Sequence, residues 1–132
     1  MIFRHELRVY YEDTDAGGVV YHARYLHYAE RARTEALRTT GAPHSELQRD
    51  HGLSFVVRRA EMDYLRPARL DDTLVVLTGP WVLSPARIVV TQRIERDGVV
   101  LATARVMLAA VSNQGRPARI PDRWVTALEG VS

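Results

Sequence analysis

The sequence predicts an α+β fold in which one long helix packs on one antiparallel sheet of about five strands. Three observations carry this. A single stretch, 23–41, repeats its apolar residues at the helical period. From residue 53 onward the chain instead alternates apolar and polar residues, as half-buried strands do. Between two such alternating runs sits Asp97-Gly98, the dipeptide of a tight hairpin. A helix that precedes a run of strands, rather than alternating with them, belongs to a two-layer α+β arrangement.

The elements follow in order. Residues 3–11, "FRHELRVYY", alternate loosely and read as a strand. "ARYLHYAERARTEALRTTG", 23–41, places Tyr25, Tyr28, Ala29, Ala32 and Ala36 on one stripe, with Arg31, Glu35 and Arg38 away from it. Gly41 and Pro43 end that helix. A short polar helical piece at 44–50 comes next. "LSFVVRRAEMDYL" and "DTLVVLTGPWVL" are strands joined through "RPARLDD". In 86–111, Ile88, Val90, Gln92 and Ile94 alternate with Arg87, Thr91, Arg93 and Glu95. Beyond the turn, Val100, Ala102, Ala104, Val106, Leu108 and Ala110 form a wholly apolar face. The tail from 112 leaves the sheet and closes with a short helix after Pro121.

Composition narrows the function. At 132 residues the chain reads as one domain, 1–132, large enough for a real core. No apolar run reaches the roughly 20 residues that span a bilayer. Charges break up the first residues, so no signal-peptide pattern is present. There is no cysteine, hence no disulfide frame and no thiolate chemistry. A cytoplasmic location is the expectation. All 18 basic residues are arginine, which removes a Schiff-base lysine and makes every cation a phosphate-matching fork. The net charge of +2 is too small for bulk nucleic-acid binding.

The chemistry concentrates in "EDTDAGGVVYH", 12–22. Glu12, Asp13 and Asp15 fall within four residues, and crowded carboxylates raise one another's pKa toward that of a useful base. The same acids also serve as ordinary turn formers. Gly17 and Gly18 permit positive φ and a close approach of a ligand to the backbone. No Ser, Thr, Asp or Asn immediately precedes the helix, so its first N–H groups are left for an oxyanion or for water. His22 and His27 lie about 140° apart on a helix, which argues against a metal pair. His5, His44 and His51 have no helpful neighbours and read as surface residues. No serine lies in a nucleophile-elbow context.

"YYEDTDAGGVVYHARYLHYAERARTEALR", "FVVRRAEMDYLRPARLDD" and the paired strands at 86–111 together resemble the hotdog-fold acyl-CoA thioesterases of the 4-hydroxybenzoyl-CoA thioesterase type. Within that family the sequence is most similar to the YbgC-like branch associated with the bacterial Tol-Pal system. The pattern D-x-D-x-x-G-x-V-x-x-x-x-Y followed by E-R-A-R-T-E is specific, and the resemblance covers nearly the whole chain. It implies a central helix wrapped by a curved antiparallel sheet, subunits paired sheet edge to sheet edge, and active sites at the dimer interface. It further implies that Asp15 is the catalytic carboxylate, that the N–H of His22 meets the thioester carbonyl, and that the His22 side chain assists. Gly17, Gly18, Val19, Tyr21 and Tyr25 would line the oxyanion and substrate site, with packing as the plainer role for Tyr25.

The substrate implied is an acyl thioester of coenzyme A, with no cofactor and no metal. Arg58, Arg59, Arg66, Arg116 and Arg119 are candidates for its phosphates, although each alone is an ordinary solvated charge. A homodimer, or a tetramer of two dimers, is expected, because a lone curved sheet leaves a strand edge open. The 99–111 strand, long and apolar on one face, is the element expected to need cover. Tol-Pal or lipid-metabolism proteins are the implied partners. The alternative class is a non-catalytic acyl-binding or scaffold module of a cell-envelope complex. Asp15 speaks for the enzyme, since a binding module has no need of a carboxylate there. A dehydratase with a His/Asp pair fits the loop less well.

Overall fold

A computed structural model describes residues 2–130. Strand β1 (Phe3–Arg8) leads through a 3₁₀ turn (Tyr11–Asp13) to helices α1 (His22–Thr39) and α2 (His44–His51). Strands β2 (Leu53–Tyr64), β3 (Thr73–Ser84), β4 (Arg87–Arg96) and β5 (Val99–Ser112) follow, and helix α3 (Asp122–Gly130) closes the described chain. The five strands form one antiparallel sheet in the order β1-β3-β4-β5-β2.

Helix α1 lies on the concave face of that sheet. Its predicted stripe is the buried one: Tyr25, Tyr28, Ala29, Ala32 and Ala36 are all 3% exposed or less. The alanines let the helix approach the strands closely, and the two tyrosines pack in one buried cluster with Leu74, Val76 and Leu101. The Thr40 hydroxyl donates to the carbonyls of Ala36 and Leu37, and Gly41 at φ +82° turns the chain away. The β4–β5 turn puts both Asp97 (φ +52°) and Gly98 (φ +78°) in the left-handed region. A two-residue hairpin of that type demands both, which is why Asp-Gly is legible there.

Two expectations are corrected. Sequence alone points to the 99–111 strand as the element in need of cover. The sheet instead places β5 inside, paired with β4 on one side and β2 on the other. Its apolar face is consumed by the core under α1. The open edges are β1 and β2, and on β2 Val57 is 51% exposed. His44, expected at the surface, is half-buried. Its Nε2 accepts the Phe55 N–H at 3.1 Å, which ties α2 to β2, and burial lowers its pKa. Hydrogen-bond acceptance at Nε2 requires a neutral ring there.

Candidate active site

The loop 14–20 folds as a small hairpin. Thr14 bridges Val20, and the Asp15 N–H donates to the Val19 carbonyl at 2.9 Å. At its tip the Gly18 N–H donates to the Asp15 carbonyl at 3.0 Å, closing a four-residue turn. Gly18 adopts φ +79°, a conformation costly to a residue with a Cβ. The Gly17 N–H donates to Asp15 Oδ1 at 2.8 Å, and a Cβ on Gly17 would stand 3.2 Å from that same oxygen. The double glycine thus fixes the Asp15 carboxylate by one backbone bond while leaving the side chain exposed.

The three acids go to different environments. Glu12 faces solvent. Asp13 is 7% exposed; its Oδ2 accepts the Tyr10 N–H at 2.9 Å, and Arg24 Nε lies 3.7 Å from Oδ1. The Asp13 carbonyl accepts the Tyr21 N–H at 2.8 Å. Asp13 therefore builds the loop and holds the residue that precedes α1. Burial, and then the Asp13 carboxylate, push the Tyr28 hydroxyl well above its ordinary pKa, so Tyr28 stays neutral beneath the loop. Of the two exposed acids, Asp15 is the one held by the Gly17 backbone at the hairpin.

Helix α1 starts at His22 without a side-chain cap. The Arg24 N–H turns back to the Tyr21 carbonyl at 2.9 Å, leaving the N–H groups of His22 and Ala23 for an outside acceptor at the positive end of the helix. The His22 ring is exposed and lies between two tyrosines, with centroids 4.5 Å from Tyr21 and 6.2 Å from Tyr64. Val20, His22, Tyr25, Tyr64 and Arg66 line a cleft of about 280 Å³ at this point.

Behind the cleft a chain of hydrogen bonds ties the loop to the sheet. Tyr25 is 3% exposed, its hydroxyl accepts the Ala68 N–H at 3.0 Å, and burial raises its pKa. The Ala68 carbonyl in turn accepts the Val20 N–H at 2.8 Å. Arg66 N–H donates to Leu101, and the Arg69 N–H donates to Asp72 Oδ2, which also receives Arg96 Nη1 at 2.6 Å. Asp15, Gly17, Gly18, Val19 and Tyr21 thus share the hairpin and its exit into α1. Tyr25 forms the floor with its hydroxyl already engaged.

The arginines divide. Arg66 alone of the five candidates lines this cleft. Arg58 and Arg59 sit exposed at the β2 bulge, where Arg59 pairs with Glu61 at 2.9 Å. Arg116 and Arg119 follow β5 at the Leu53–Ser112 end of the β2–β5 ladder, whereas Arg66 follows Tyr64 at its Ala102 end. Among the described residues, no three His, Asp or Glu side chains gather as a metal site. Tyr64 is a site residue that sequence reasoning passes over. Its hydroxyl donates to the His22 carbonyl at 3.1 Å, and its ring meets Tyr25 at 5.4 Å. Its signal is only that an aromatic ends an alternating strand, which is commonplace.

Residues 9–128 match the thioesterase-like superfamily. The chain belongs to that family. Within it, the acyl-CoA thioesterase YbgC of Haemophilus influenzae is 50% identical over 109 residues, 83% of this chain and 80% of that protein. The acyl-CoA thioester hydrolase YbgC of Escherichia coli is 45% identical over 111 residues, 83% of this chain and 82% of its own. The crystal structure of AQ1494 from Aquifex aeolicus superposes with a TM-score of 0.90 at 32% identity, covering 96% of this chain and 98% of that one. The fold of this thioesterase-like chain is the hotdog fold: a five-stranded antiparallel sheet around a central helix.

Proposed function

We propose that this protein hydrolyses acyl-CoA thioesters at the 14–22 loop. A thioester hydrolase is what its family relationships support. The observation that carries the reading is the pairing of an exposed, backbone-held Asp15 with an uncapped helix start a few residues on. The thioester carbonyl oxygen takes the N–H of His22, where negative charge develops. Asp15 either attacks the carbonyl carbon directly, giving a mixed anhydride that water opens, or takes a proton from a water that attacks instead. In both cases the C–S bond breaks, coenzyme A leaves as its thiol after gaining a proton, and the acyl group leaves as a free acid. The His22 side chain, held between Tyr21 and Tyr64, holds the water in the second route. Arg66, at the cleft, is the best placed of the arginines for the carrier's phosphates. No cofactor enters the scheme.

A homodimer belongs to the same proposal. Exposed Leu26, Val57, Tyr64 and Leu65 lie along the open β2 edge and beside it, a surface a second copy would cover. A cytoplasmic location and Tol-Pal partners accompany the YbgC-like relationship and are part of the reading.

The test is release of free thiol from a panel of acyl-CoA thioesters by the purified protein. Turnover of at least one supports the enzyme; binding without turnover across the panel would favour the non-catalytic acyl-binding module. Single turnover in ¹⁸O-water then addresses the route, since label found in Asp15 excludes the general-base path.

A further inference from the structure

Three cavities succeed one another between α1 and the open edge strand β2. The first is the cleft at the helix start, with His22 and Tyr25 facing Tyr64. The second sets Leu26 and Glu30 against Val57 and Ala60. The third, walled by Leu37, Phe55, Trp81, Ile88 and Leu108, reaches into the core. As the α1 numbers rise the β2 numbers fall, so the three lie on one line that begins at the candidate site.

Arg33 lines both the second and the third cavity. It is only 9% exposed, yet among the described residues no carboxylate oxygen lies within 4 Å of it. Its recorded acceptor is neutral: Arg33 Nη1 donates to Gln92 Oε1 at 3.0 Å. Gln92 cannot turn away, because its Nε2 donates to the Ala29 carbonyl and to Thr78 Oγ1, each at 2.9 Å. A guanidinium has five N–H donors in a planar fork; one meets Gln92, and the Glu30 carboxylate a turn away acts on it through its charge, so the buried cation is still short of hydrogen-bond acceptors. Glu30, a turn earlier on α1, shares both cavities but is itself exposed to solvent.

We propose that this line of cavities is the acyl channel, and that Arg33 receives a carboxylate at the far end of the acyl chain. Acyl-CoA thioesters whose acyl group ends in a carboxylate are then the favoured class. The inference rests on the thioesterase reading and adds its substrate preference. A carboxylate supplies the bidentate acceptor that Gln92 does not. Arg33 lies eleven residues beyond His22, about 16 Å along the helix, and its side chain leans back toward the site. A dicarboxylic chain of middle length spans the interval.

Suberoyl-CoA and octanoyl-CoA test this, since they share a carbon chain and differ only in a terminal carboxylate against a methyl. The wild type should show the higher kcat/KM on suberoyl-CoA. Arg33→Met should lower the suberoyl-to-octanoyl ratio by about tenfold to a hundredfold, the worth of a charged hydrogen-bonded pair. Glu30→Gln, at an exposed position, should raise that ratio by removing a like charge from the channel. A wild-type preference for octanoyl-CoA overturns the proposal, as does a folded Arg33→Met variant with an unchanged ratio. Weakened self-association of that variant with the ratio intact would likewise overturn it and make a second copy the source of the counter-charge. If Arg33→Met does not fold, Glu30→Gln decides, an unchanged ratio counting against the proposal. If the wild type hydrolyses neither of these but turns over another thioester of the panel, the proposal is overturned; if it turns over none of the panel, it is the hydrolase reading that fails. The calorimetric binding ratio of the two intact thioesters then still reports on Arg33.

Discussion

At the scale of single residues, the site depends on side chains that hold backbone in place. Tyr25 shows this most clearly. Its ring sits at helical spacing, so its burial is legible in the sequence, but its hydroxyl's partner is 43 residues away at Ala68. Tyr25→Phe keeps the ring and leaves the Ala68 N–H without its acceptor in a buried setting. The expected loss is about 1–3 kcal/mol, read from the urea midpoint, because an unmade buried hydrogen bond costs its full desolvation. A midpoint equal to that of the wild type would mean the Ala68 contact contributes nothing. Asp13 and Asp15 make the complementary case. Two acids two residues apart look interchangeable in sequence, and only the hairpin sends one inward to Tyr10 and Arg24 and the other to the tip.

At the scale of elements, what is local in sequence is what sequence reveals. The α1 stripe and the Asp97-Gly98 hairpin are set by spacing and by φ, and both appear where the residues place them. The double glycine and the uncapped start of α1 are also visible, since both are local features, whereas the folding of 14–20 into a hairpin is seen only in the structure. Strand order is not local. Placing β2 outside β5 and β1 outside β3 is a long-range choice, so the edge that needs cover could not be read from residue patterns. The α2–β2 junction is non-local too, and it carries a pH dependence. Burial depresses the His44 pKa, so its neutral ring stabilises the fold fully above about 6.5, the ordinary histidine value. That contribution is lost as pH falls through the lowered value, when protonation removes the acceptor from Phe55. Acidification below 6.5 should lower stability and the protection factor of the Phe55 amide, measured against its intrinsic exchange rate at each pH, and a His44→Gln variant should lose most of that slope. Identical slopes in the two proteins would remove His44 as the cause.

At the scale of the whole molecule, the sheet has two free edges, and β2 is the long one that borders the candidate site. Two copies joined there would cover Val57 and seal the α1–β2 line from water. Sedimentation at micromolar concentration should therefore show a dimer or larger, and Val57→Lys should shift it toward monomer with the fold retained. A stable, fully active wild-type monomer would contradict that view of the edge. In the proposed mechanism one carboxylate, fixed by the Gly17 N–H beside an uncapped helix, performs the hydrolysis. Asp15→Asn keeps the size and shape of the side chain and an oxygen to accept the Gly17 N–H, while removing the nucleophile or base. Steady-state kcat of this variant on a thioester that the wild type turns over is the direct measurement. A folded variant slower by at least about a hundredfold is the predicted result; a folded variant turning over at the wild-type rate would contradict the account.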